Sequence, residues 1–66
     1  MSESAVEIHH MPPGQLTPAG GAVAEVYYFD EEGNPVPKAI ATRVIIRELD
    51  SDGRLIRETF GTKSKG

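Results

Sequence analysis

The chain has 66 residues, no cysteine, no tryptophan and a net charge of −3. That length allows one domain at most, and a domain this small buries only about 60% of the surface its unfolded chain exposes. Without cysteine there are no disulfide staples, thiolate zinc sites or cysteine nucleophiles. Hydrophobic residues make up 38%, below the level of an ordinary compact domain, so apolar burial is scarce.

Charge is sorted along the chain. Residues 1–37 carry six acids (Glu3, Glu7, Glu25, Asp30, Glu31, Glu32) and no lysine or arginine, whereas residues 38–66 carry seven bases against four acids. No basic n-region and no apolar run of signal-peptide or membrane-helix length is present, which predicts a cytoplasmic protein.

Residues 1–21 hold six of the twelve Gly and Pro residues, and Pro12, Pro13 and Pro18 each bias the preceding residue away from helix. This stretch is predicted to be a disordered or loosely docked arm. Three β-branched and aromatic runs follow, at residues 22–30, 40–49 and 55–60, none containing proline. Residues 30–37 break the first pair, because Pro35 and Pro37 donate no ladder hydrogen bonds. Asp52-Gly53 breaks the second as a two-residue hairpin turn. No segment carries a sustained 3.6-residue stripe. The expected fold is all-β, a small three-stranded antiparallel meander over residues 22–62. The arm precedes it, a short basic tail (63–66) follows, and residues 22–30 form an exposed edge strand.

Register of the last hairpin is readable from charge. A two-residue loop places Glu48 opposite Arg57, Arg47 opposite Glu58, Leu49 opposite Ile56 and Ile45 opposite Phe60. A three-residue loop instead sets Arg47 against Arg57. Cross-strand pairs contribute roughly 0.2–1 kcal/mol each, so the first register is expected. Both faces of the resulting sheet hold large apolar residues, which implies a cover: a second copy, the arm or a partner.

A weak repeat runs through the turns, with Phe29-Asp30-Glu31-Glu32-Gly33-Asn34-Pro35-Val36 aligning with Leu49-Asp50-Ser51-Asp52-Gly53-Arg54-Leu55-Ile56. In this pattern the hairpin 49–61 is similar to a unit of the tyrosine-aspartate repeats of large β-shell proteins. Those arrays need many units to bury a core and this chain has two, so no fold or function carries across. Asp-x-x-Gly is good hairpin chemistry on its own.

Site chemistry is sparse. His9 and His10 are adjacent, and on an extended chain they point to opposite sides, so no metal site is expected. Asp50, Ser51 and Asp52 supply oxygens beside a glycine, but the spacing of a calcium loop is missing, so turn stabilisation is expected instead. No nucleophile–base arrangement, phosphate loop or nucleotide fingerprint is present. A single layer can hardly enclose the water-poor pocket that acid–base catalysis needs, so the chain is expected to be no enzyme and to carry no cofactor.

The function these features point to is a small protein-interaction module, an adaptor or regulator. It would present a sheet face or edge to a protein partner or to itself, with a homodimer as the simplest form. The candidate interface is Val26, Tyr28, Ile40, Val44, Ile46 and Phe60. The alternative is a β-ribbon nucleic-acid binder using Arg43, Arg47, Lys63 and Lys65, which the acidic net charge disfavours.

Overall fold

The computed structural model describes residues 5–63. Four strands form one antiparallel meander in chain order: β1 (Val6–His10), β2 (Val23–Phe29), β3 (Arg43–Leu49) and β4 (Leu55–Thr62). Among the described residues the only helical element is a single 3-10 turn, Lys38–Ile40. The all-β antiparallel architecture is as expected, but there are four strands rather than three.

The extra strand comes from the stretch read as an arm. Val6 and Ile8 alternate with Glu7 and His9, and β1 pairs along its full length with β2, Val6 opposite Tyr27 and His10 opposite Val23. The prolines and glycines that suggested disorder all lie beyond β1, in the connector 11–22. There they make turns closed by Gln15 N–H to Pro12 O (3.0 Å) and Gly20 N–H to Thr17 O (2.8 Å). One consequence is that β2 is a central strand, not an edge; β1 and β4 are the edges.

The two breakers fold alike. In each, an Asp amide is bonded to the carbonyl four residues on (Asp30 to Asn34, 3.0 Å; Asp50 to Arg54, 2.9 Å). The Asp carboxylate accepts the amides two and four residues on, all at 2.9 Å. A left-handed glycine closes both turns, Gly33 at φ 87° and Gly53 at φ 85°. This is a three-residue loop, not the expected two-residue turn.

Yet the charge pairs survive: Glu48 faces Arg57, Arg47 faces Glu58 and Ile45 faces Phe60, while Leu49 faces Leu55 rather than Ile56. A one-residue shift between Glu48 and Leu49 reconciles the two, leaving Ile56 as an extra residue in β4. The turn and the ion pairs each demand a register, and a bulge satisfies both.

Packing is thin. Among the described residues only Tyr28 and Ala41 of the apolar side chains are buried, and no large side chain is fully enclosed. Part of each long connector lies against the same side of the sheet. Lys38 sits close enough to Glu7 to favour its charged form, and Ala19 N–H reaches Glu48. Glu7, Tyr28 and Glu48 all point to that face by the alternation of the strands. The sheet therefore has one covered face and one open face.

Gly21 fits this arrangement for a reason unrelated to turn geometry. A Cβ there would lie 2.6 Å from the Leu49 carbonyl oxygen and 3.1 Å from Thr17 Oγ1. Gly21→Ala should therefore force the connector off the sheet and cost about 1–3 kcal/mol. A thermal melt checks this, with an unchanged midpoint counting against the close approach.

Candidate functional site

The covered face is organised around a carboxylate. Glu48, 2% exposed, accepts hydrogen bonds from Ala19 N–H (3.0 Å) and Arg57 Nε (2.7 Å). The Thr17 hydroxyl, the Ala19 amide and the Arg57 guanidinium together hold its carboxyl below the ordinary 4.5, against the upward push of burial. Thr17 is itself buried and locks the connector, its Oγ1 accepting Gly21 N–H at 2.9 Å. At the other end of this face Tyr28 donates its hydroxyl proton to Glu7 Oε1 at 2.8 Å. Burial, and then that bond, push the Tyr28 hydroxyl up to about 12. The same bond, assisted by His9 and Lys38, lowers Glu7.

The open face is built of cross-strand rows. One row is apolar: Val6, Tyr27, Ile45 and Phe60. The next, towards the Asp50 turn, places Glu25, Arg47 and Glu58 side by side, with Ile8 at its β1 end. Arg47 Nε lies 3.3 Å from Glu58 Oε2, and Tyr27 donates to Glu25 Oε1 at 2.8 Å, which raises the tyrosine hydroxyl. On the other side of the apolar row come Phe29, Arg43 and Thr62. A groove of about 460 Å3 opens there, lined by Phe29, Arg43, Ile45, Phe60, Gly61 and Thr62 among others. Phe60 is 70% exposed and Ile8 55%.

The structure divides the predicted interface residues between the faces. Val26, Tyr28, Val44 and Ile46 belong to the covered face; Tyr28 is closed inside the chain and the other three are half-buried. Phe60 is on the open face. Ile40 is exposed on the 3-10 turn, beside Asp30, Glu31 and Glu32. Tyr27, Ile45 and Phe29, which the sequence analysis left out of the interface, share the open face with Phe60.

Of the basic residues, Arg47 is engaged by Glu58, Arg43 is exposed at the groove, and Lys63 Nζ donates to the Lys38 carbonyl at 3.2 Å. Lys65 lies outside the described residues. His9 and His10 point to opposite faces, and among the described residues no group of three or more His, Cys, Asp and Glu is placed to hold a metal ion. No described helix is long and apolar enough to cross a membrane.

No protein-family model, curated protein or solved structure matches the chain.

The lowered carboxyls fix the sign of the acid response. Glu48, Glu7 and Asp30, the last held down by amides of its own turn, are all charged more readily folded than unfolded. Their contribution is complete above the ordinary carboxylate values and is lost as pH falls through the lowered folded values. Urea unfolding should thus give a stability that is flat from neutrality to about pH 5 and declines below it. Glu48→Gln should lower the plateau and flatten the decline; an acid limb as steep as in the parent chain would show that Glu48 does not govern it.

Proposed function

We propose that this chain is a small non-enzymatic interaction module, acting in the cytoplasm, that presents one face of its sheet to a protein surface. The observation that carries this is the asymmetry of the two faces. Ala19 and Lys38 of the two connectors, and the polar ties at Glu48 and at Tyr28, lie on one side. The other side keeps an apolar row, with Phe60 and Ile8 among the most exposed large apolar residues of the chain. A sheet in water normally turns its polar side outward. Here both sides carry charged residues, but the side of Glu48 and Tyr28 is covered by the chain's own connectors, so the exposed apolar row of the other is left for a partner. The open face offers rigid aromatic anchors, Phe29 and Phe60, at a groove sized for side chains. A nucleic-acid role is less well supported, because Arg47 is already paired with Glu58 within the sheet.

A photo-crosslinking amino acid in place of Phe60 tests the proposal. It should give protein adducts of one defined mass, whether with the chain itself or with another protein, whereas the same probe at Glu31 in the first turn should give none. Equal, unspecific labelling from both positions would overturn it.

A further inference from the structure

We propose that the groove between Phe29 and Phe60 is the docking site for a protein segment that carries an apolar side chain and a carboxylate about 7 Å apart, the carboxylate seated on Arg43. This rests on the interaction-module reading above and names the chemistry of the partner.

The groove combines apolar walls with a single charge. Phe29, Ile45 and Phe60 line it together with Thr62, and Arg43 is the one charged side chain among the described residues of its lining. Across the strands Arg43 stands between Phe29 and Thr62, and Ile45, the next residue of β3 on the same face, lies about 7 Å along it. The other two arginines of the strands, Arg47 and Arg57, each lie beside a carboxylate of the chain, at 3.3 and 2.7 Å. Arg43 is exposed and takes part in no ion pair among the described residues. A guanidinium presents a planar fork of donors that a carboxylate meets with two parallel hydrogen bonds, and the pair strengthens where apolar walls exclude water. The walls call for an apolar occupant and the guanidinium for an acid, so the groove selects a segment that has both.

The rest of the face fixes which way such a segment lies. Beyond the apolar row stand Glu25, Arg47 and Glu58, two carboxylates against one guanidinium. That end repels an acid and the Arg43 end attracts one, so the segment is held in one orientation. The covered face offers no equivalent, because its Arg57 is already bonded to Glu48. The groove, at about 460 Å3, falls within the roughly 300–1,000 Å3 of ligand clefts. Phe60, 70% exposed in the free chain, is the wall that gains most when an apolar side chain is laid against it.

The experiment titrates the purified, isotope-labelled full chain with three capped tripeptides: acetyl-Phe-Ala-Glu-amide and its Gln and Lys counterparts. In an extended tripeptide the first and third side chains share one side, about 7 Å apart. At millimolar concentration the Glu peptide should shift the amide signals of Arg43, Ile45, Gly61 and Thr62. It should bind about fivefold more tightly than the Gln peptide, with the Lys peptide weakest. Arg43→Gln should erase the difference between the Glu and Gln peptides, and Arg43→Glu should reverse the order so that the Lys peptide binds best. Phe60→Ala should weaken all three, and Arg54→Gln, at the second turn, should change nothing. If the Arg43 variants fail to fold, the order of the three peptides on the parent chain still decides the question. Equal binding of the three peptides overturns the inference, as does an unchanged order after Arg43→Glu, a set of shifts confined to the covered face, or no shift from the Glu peptide. If one of these results comes with a single defined adduct from the probe at residue 60, the interaction-module reading stands and only the partner chemistry falls.

Discussion

The Glu48 carboxylate is the tie on which the rest of the molecule depends. It lies where the connector 11–22 comes down on β3 beside β4. Its oxygens accept from an amide of the first and a guanidinium of the second. A carboxylate taken out of water must find partners or give up its charge, so each of these segments is held where it can supply one. Apolar burial cannot do this alone where the large side chains of the described residues all stay partly wet. Arg57 reaches Glu48 only in the register that the bulge at Ile56 restores. The distortion in β4 thus follows from the same requirement. So does the absence of a side chain at Gly21, which lets the connector approach closely enough for Thr17 and Ala19 to reach Glu48.

How much of this could be read from sequence follows from which forces are local. Cross-strand charge pairing is a pairwise rule, and it gave Glu48 with Arg57 and Arg47 with Glu58 correctly. The turn beside them was misjudged because Asp52-Gly53 alone suggests a two-residue loop. The deciding group is Asp50, whose carboxylate organises amides at 52 and 54, and its counterpart Asp30 does the same one strand earlier. That the two turns share a hydrogen-bond pattern makes the Asp-x-x-Gly repeat a structural one, though only at the level of the turn. β1 was missed because five residues with two histidines and a glutamate carry little β signal of their own. Its order comes from tertiary partners: the β2 backbone and the Tyr28 hydroxyl that Glu7 accepts. The turn-rich stretch after it masked the alternation of Val6 and Ile8.

The faces could not be ranked from the strands alone. Both carry isoleucine, valine and an aromatic residue, and either could have been the core. What separates them is the path of the connectors, which is set by polar contacts between residues far apart in sequence: Ala19 with Glu48, Tyr28 with Glu7. Neither contact follows a short-range rule. The candidate interface drawn from sequence consequently mixed the faces, taking Tyr28 from one and Phe60 from the other. Alternation along each strand was correctly read; the choice of which parity stays open was not available until the connectors were placed.

The uneven distribution of charge along the chain takes on meaning in the sheet. A meander pairs neighbours in sequence, so the boundary between the acidic and the basic half falls between β2 and β3, the two central strands. Glu25 from one half thereby meets Arg47 from the other. Arg43, at the start of the basic half, emerges on the same face one apolar row away. This leaves a small dipole across an apolar stripe. β4 is an edge strand exposed along nearly its whole length, the kind of edge that joins sheets end to end without limit. Its bulge, its glycine and the adjacent charges Arg57 and Glu58 all oppose that route. The edge is thus spoiled by the same bulge that brings Arg57 to Glu48, one distortion meeting both constraints.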